Sequence, residues 1–280
     1  MYSFTMVDLH THSTASDGML SPEDLVDLAA ERGLTALALT DHDTVAGLER
    51  AKTACGRHGI TFIPGIELEV DYENGEFHLL GLDIRRWEEG FQREIVKLQE
   101  NRDRRNMKIV QNMLEAGIDT DYREVKKIAS GDVVGRPHFA RLLVDKGVVG
   151  SVSEGFSKFL SPGKPFYEAK ETIPLETASD LIHEAGGICV LAHPRSLNLN
   201  LLQLEERLIE WKEKGLDGIE AYHPSVKPVR GKKLERLGKR YNLIVTAGSD
   251  FHGEVRPGRS LGEFGEGRKI SDKYIRWLNV

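Results

Sequence analysis

The stretch Asp8-Leu9-His10-Thr11-His12-Ser13 sets one carboxylate and two imidazoles at every second position. On a β-strand, alternate side chains point to the same face, so the spacing predicts Asp8, His10 and His12 on one side of an extended segment. A polar strand surface would explain this pattern, and so would a metal site. The remaining strand ends decide between them.

After this segment, Ser21-Pro22-Glu23-Asp24 opens a helix. Ser21 serves as cap, Pro22 as the first helical residue, and Asp24 completes a capping box. Leu25, Leu28 and Ala29 give it an apolar face, and Gly33 ends it. Leu34 to Leu39 reads as a buried strand, and a helix is predicted over 45–58. Ile60 to Val70 is strand-like with a break at Pro64-Gly65, and Asn74-Gly75 marks the turn into Phe77 to Leu82.

Late in the chain the alternation returns. Helices over 174–185, 201–214 and 232–241 alternate with strands over 188–192, 216–222 and 243–247. About seven strands joined this way predict an α/β fold with a mainly parallel sheet, open or closed into a barrel. Residues 91–165 break the pattern with a long helix, 91–116, and shorter helical pieces, and read as a helical insertion.

Composition narrows the function classes. The chain has 280 residues, 40% hydrophobic and 29% charged, as expected of a globular enzyme or binding protein. A net charge of −6 argues against a non-specific nucleic-acid coat, so no stable nucleic-acid partner is expected. Cys55 and Cys189 form neither a CxxC pair nor a disulfide framework, which suits a reducing compartment. No signal peptide and no membrane-length apolar run is legible, so the expectation is a cytoplasmic protein.

The polar residues at strand ends form one set. His10, His12 and Asp17 follow the first strand, His42 the second, and Glu67 ends the third. His78 lies on the partner strand, His193 follows Ile188–Ala192, and Asp250 and His252 follow Ile244–Gly248. In parallel α/β folds the carboxyl ends of strands meet on one face, where chemistry sits. Six of ten histidines fall there with three carboxylates. Nine such donors exceed one ion and suit two or three divalent metals, with Zn, Mn or Fe fitting the ligand types. Asp8, Asp41 and Asp43 are read as groups orienting the imidazoles. His58, His183, His223 and Lys170 are read as structural or solvated.

These segments resemble the polymerase and histidinol phosphatase (PHP) superfamily of metal-dependent phosphoesterases. The resemblance rests on the opening stretch, on Thr40-Asp41-His42-Asp43 and Pro64-Gly65-Ile66-Glu67, and on Leu191-Ala192-His193-Pro194 and Gly248-Ser249-Asp250-Phe251-His252. It implies a distorted seven-stranded β/α barrel, made here by 1–90 and 166–280, with 91–165 as a helical insertion capping the site. It implies three ions, with Mn the first expectation and Zn or Fe the alternatives. His10, His12, Glu67 and Asp250 would hold one ion. Glu67, His78 and His193 would hold a second, and Asp17, His42 and His252 a third.

Chain length, the insertion and Gly135-Arg136-Pro137-His138-Phe139 resemble the branch that removes the 3′-phosphate of 3′,5′-nucleoside bisphosphates. Members of that branch also act as 5′→3′ exoribonucleases on short RNA. The alternatives are a phosphatase of histidinol phosphate or another small monophosphate, and a non-catalytic, metal-stabilised module.

Three ions bring about +6 and three carboxylates about −3, leaving a positive site that attracts a phosphate ester. Hydrolysis would be direct, with Asp250 in the catalytic set and His193 or His252 protonating the leaving group. On the insertion's long helix, Ile95, Leu98, Arg102, Arg105, Ile109 and Met113 share one face. The two arginines are either the solvated edge of that stripe or a fork for a second phosphate, joined by Arg136 and His138.

Overall fold

The computed structural model describes residues 5–87, 89–129, 133–169 and 171–278. Lys170 lies outside the described residues. Seven strands form one sheet in sequence order: β1 (Met6–Asp8), β2 (Leu34–Leu39), β3 (Thr61–Val70), β4 (Phe77–Leu82), β5 (Ile188–Leu191), β6 (Gly218–Tyr222) and β7 (Ile244–Ala247). Pairing is parallel except on the two sides of β4, which runs antiparallel to β3 and β5. Beyond β7 and β1 the chain closes the circle. The Asp250 amide donates to the His10 carbonyl at 2.8 Å, and the His12 amide donates to that of Phe251 at 3.0 Å.

Helices α1 (Pro22–Glu31) and α2 (Leu48–His58) connect the first three strands. The Ser21 hydroxyl accepts from the Asp24 amide at 3.1 Å, as a cap should, but its own hydrogen goes to the Asp24 carboxylate at 2.6 Å. The predicted break at Pro64-Gly65 is absent: β3 runs through both residues. Pro64 pairs with Leu39 at the last register position before β3 leaves β2. Gly65 is needed for space, since a Cβ there would stand 2.8 Å from the Gly81 carbonyl oxygen and 3.1 Å from that of Leu39.

Between β4 and β5 lie α3 (Glu89–Glu115), α4 (Tyr122–Ala129), α5 (Arg136–Asp145) and α6 (Val152–Gly155), followed by a π-turn over Phe156–Leu160. α7 (Leu175–Glu184), α8 (Leu201–Glu213) and α9 (Pro228–Arg240) complete the barrel's outer layer. Apolar burial divides into two clusters. One fills the barrel and reaches Ile95 and Leu98 of α3; the other is built around Ile109, Met113, Phe139, Leu143 and Phe166. Helix α3 therefore spans both clusters with a single apolar stripe. Arg102 and Arg105 sit where it passes from one to the other, and both are buried. Burial rules out the solvated-edge reading of these two arginines. No helix among the described residues is long and apolar enough to cross a membrane.

Candidate metal centre and the cavities around it

Strand β1 ends at Asp8, so His10 and His12 lie beyond it, on extended backbone held between the ends of β2 and β7. The alternation survives because that backbone is bonded on both sides: Thr40 donates to the Thr11 carbonyl at 2.9 Å, opposite the Asp250 bond. His42 follows β2 and bridges to Glu67. Glu67 lies inside β3 rather than at its end, but β3 and β4 continue as a hairpin past the mouth of the barrel. Because β4 is antiparallel, its beginning carries His78 to that same mouth. His193 and Asp250 follow β5 and β7 with φ of 25° and 50°, conformations rare for non-glycine residues and common at functional sites. A Cβ on Gly248 would run into His10 and lie 2.6 Å from Glu220 Oε1, so only glycine lets this turn approach.

Glu67 stands at the centre, fully buried. Its Oε2 is 3.3 Å from His10 Nε2, 3.2 Å from His12 Nε2 and 3.2 Å from His42 Nδ1. Its Oε1 is 2.9 Å from both His78 Nδ1 and His193 Nε2. Asp250 Oδ1 lies 3.3 Å from His12 Nε2 and 3.6 Å from His10 Nε2. Asp17 Oδ1 lies 3.1 Å from His252 Nε2 and 3.9 Å from His42 Nε2 and His12 Nδ1. All nine residues expected at strand ends therefore meet in one cluster. Burial opposes charge on Glu67, but the imidazoles of His42, His10 and His78 hold its carboxyl well below the usual range.

The hydrogen bonds show which way these rings face. His10 Nδ1 lies 3.1 Å from a Glu220 carboxylate oxygen and donates to it, which turns Nε2 toward the centre; burial opposes charge on this ring, but Glu67, Glu220 and Asp250 hold its pKa well above the usual imidazole value. His252 Nδ1 donates to the Asp250 carbonyl at 2.8 Å, so its Nε2 faces inward unprotonated. Burial, then the neighbouring His12, pushes the His252 pKa down to about 4. The Ser196 hydroxyl gives its hydrogen to a carbonyl, and thus accepts from His193 Nδ1 at 3.1 Å.

In the His193 and His252 rings the nitrogen aimed at the centre has no hydrogen, and carboxylate oxygens face it. His10 Nε2 and His12 Nε2 are only 3.1 Å apart. His252 Nε2, Asp17 Oδ1, Glu67 Oε2 and His12 Nδ1 are buried with no hydrogen-bond partner. Lone pairs turned on one another in a dry interior repel unless cations lie between them, so the donor set fits divalent metal ions.

Several neighbours differ from expectation. Asp8 accepts from the amides of Ser249 (2.9 Å) and Gly262 (2.7 Å), and Asp41 from Ser13 and Ser16; neither touches an imidazole. Asp43 takes two bonds from Arg102, at 2.9 and 2.5 Å. Asp8 and Asp41 shape loops rather than orient rings.

The orienting residues are others. Glu220 holds His10 and also accepts from the His193 amide at 2.7 Å. His223, read from sequence as structural or solvated, is buried beside the cluster. Its Nδ1 accepts from the Ser225 amide at 3.0 Å, so Nε2–H donates to Asp250 Oδ2 at 3.0 Å. Arg259 donates to the same oxygen. Glu220 was legible only as an acidic residue within the apolar strand Gly218–Tyr222. His58 and His183 are surface residues paired with Asp27 and Asp217.

Two cavities open from the cluster. The larger, about 790 Å³, lies under the helices between β4 and β5 and is lined by Arg102, Arg105, Arg136 and Arg141 among others. The smaller, about 290 Å³, lies toward the loops after β5 and β6. His42, Glu76, His78, Arg256 and Arg259 line both.

The four residues expected to clamp phosphate are not equivalent. Arg102 is bonded to Asp43, and Arg136 to Glu76 at 2.6 Å. His138 Nδ1 accepts from the Gly135 amide at 2.9 Å, where it closes the first turn of α5. Arg105 Nε and Nη2 are buried with no hydrogen-bond partner among the described residues. Burial, then the charges of Arg102 and Arg136, pushes its pKa down to about 9. A buried guanidinium with unsatisfied donors calls for an anion.

The PHP domain family model matches residues 8–214. A 5′-3′ exoribonuclease of Haemophilus influenzae is 35% identical over 257 residues, 91% of this chain and 93% of its own. A 3′,5′-nucleoside bisphosphate phosphatase of Chromobacterium violaceum is 35% identical over 257 residues, 91% of this chain and 90% of its own. The crystal structure of an amidohydrolase from Chromobacterium violaceum, holding sulfate and no metal, superposes with a TM-score of 0.84 at 33% identity, covering 94% of this chain and 92% of that one.

Proposed function

The chain belongs to the PHP family, and from that premise we propose that it hydrolyses the 3′-phosphate ester of 3′,5′-nucleoside bisphosphates and trims short 5′-phosphorylated RNA from its 5′ end. The observation that carries this reading is Arg105. It holds unsatisfied donors in a cavity that opens on the cluster, so one molecule can place a phosphate at each. A monophosphate has no use for the second position.

In this reading His10, His12, Glu67 and Asp250 hold one divalent ion, Glu67, His78 and His193 a second, and Asp17, His42 and His252 a third. Mn is the expected occupant. Ions held there would supply Lewis-acid polarisation of a phosphate ester and an activated water near neutral pH.

The chain's own residues do the rest. Glu220 and Ser196 fix the tautomers of His10 and His193, and His223 and Arg259 aim Asp250. Arg105 takes the remote phosphate, with Arg136 beside it. Arg102 positions the loop of Asp43, and His138 sets the turn that carries Arg136. His193 and His252 present no hydrogen to the centre in this arrangement. Their part in catalysis is to hold ions, and the departing oxygen takes its proton from solvent. The helices of 91–165 cap the site and supply the clamp.

The test is product release by the purified, Mn-loaded protein. Its panel is adenosine 3′,5′-bisphosphate, AMP, a short 5′-phosphorylated RNA and histidinol phosphate. The expected result is a strong preference for the bisphosphate and the RNA. A preference for histidinol phosphate would overturn the clamp and keep the metal centre.

A further inference from the structure

The two cavities raise a question that the bisphosphate does not. In both reactions water's oxygen bonds to phosphorus, the P–O3′ bond breaks, and the 3′-oxygen leaves with a proton. On the bisphosphate this releases inorganic phosphate. On RNA it releases a 5′-mononucleotide, and the shortened RNA keeps the phosphate as its new 5′ end. The only added demand of RNA is room for the chain that continues from the far side of the reacting phosphate.

The larger cavity holds the arginines of the insertion and so takes the 5′ nucleotide. The smaller one joins it at His42, Glu76, His78, Arg256 and Arg259, and leads away past His193 to Arg195 and Ser225. Arg195 is exposed and is the second residue of the short 3-10 turn Pro194–Leu197 that follows His193. One of its terminal nitrogens bonds the Ser225 carbonyl at 2.7 Å, which braces the side chain across the cavity wall. Arginine so held suits a phosphodiester, which a backbone-tracking contact reads without regard to base.

We infer that the smaller cavity is the subsite for the second nucleotide of an RNA substrate, and that Arg195 binds the phosphate that follows that nucleotide. The inference rests on the functional reading above and deepens it, because it gives the RNA a direction: 5′ end under the insertion, remaining chain out between the loops after β5 and β6.

The experiment compares wild type with Arg195→Ala, Arg195→Lys and Arg195→Glu as full-length, Mn-loaded proteins. Phosphate release from adenosine 3′,5′-bisphosphate and nucleotide release from 5′-phosphorylated RNAs of two to six nucleotides are measured. For Arg195→Ala, kcat/KM on the bisphosphate should stay within about twofold and fall roughly tenfold on RNA, the worth of one charge-assisted hydrogen bond. Arg195→Lys should recover part of that loss, and Arg195→Glu should deepen it.

Binding of a 3′-fluorescent RNA to metal-free protein gives a readout independent of turnover. Its slope of log affinity against log salt should shrink by about 0.7 in Arg195→Ala. Equal losses on both substrates, or an unchanged RNA rate and salt slope, would overturn the inference while leaving the enzyme's function intact. A wild type that turns over neither substrate would overturn the functional reading, and the subsite with it.

Discussion

The cluster at the barrel mouth and the arginine cavity beneath the insertion are both polar interiors, but they are built in opposite ways. In the cluster several rings and carboxylates are braced from behind, as His10 is by Glu220 and Asp250 by His223. Its inward-facing atoms are imidazole nitrogens and carboxylate oxygens, the donor types that hold cations. In the cavity six arginines outnumber four carboxylates, and two of the arginines are already matched, Arg102 to Asp43 and Arg136 to Glu76. Among the described arginines that line it, Arg105 has buried donors to spare. One region is organised around absent positive charge and the other around absent negative charge. A substrate phosphate with its ions satisfies both.

The sharpest way to break this comparison is Asp250→Asn. It removes one inward charge and gives the His223 donor a weaker acceptor, so kcat should fall by roughly 10³-fold or more on every ester while circular dichroism stays that of the wild type. Wild-type rates with metal content verified would end the proposed mechanism.

Metal removal comes next. Stripping ions with a chelator should lower the melting temperature by several degrees, because ions at about 100 times their dissociation constant stabilise by about 2.7 kcal/mol. An unchanged melting temperature would mean that the cluster does not bind ions tightly.

The arginines sharpen the contrast through opposite signs. Arg102→Ala removes the buried guanidinium bonded to the Asp43 carboxylate and should cost about 3–5 kcal/mol of stability. Arg105→Ala removes an unpaired buried charge and should leave the melting temperature unchanged or higher. It should also raise KM for the bisphosphate roughly tenfold or more without affecting a monophosphate. If the two variants behave alike, Arg105 is structural.

The smallest expected effect belongs to Glu220→Gln. The weaker acceptor should lower metal affinity by about tenfold, seen by competition with a chromogenic chelator. No change would mean that His10 needs no brace.

Much of the fold was legible because strand and helix periods are local. Leu34 to Leu39 and Phe77 to Leu82 were bounded as the structure bounds them, from residue types within a few positions. The ends of those strands are where His42 and His78 had to be. The apparent break at Pro64-Gly65 failed for a reason outside the segment. Pro64 sits where β3 parts from β2, and Gly65 answers to the carbonyls of Leu39 and Gly81.

By itself, then, the sequence determined the alternation of elements and the nine donors gathered at one mouth, since side-chain periodicity and strand ends are properties of short windows. Only the tertiary structure decided the partners. Glu220 and His10 are separated by 210 residues, Gly262 and Asp8 by 254, and Arg102 and Asp43 by 59. A buried charge is settled by whichever groups the fold brings within hydrogen-bonding distance. That is why the acidic residues nearest the histidines in sequence turned out to hold loops, while a glutamate and a histidine from a distant strand end hold the site.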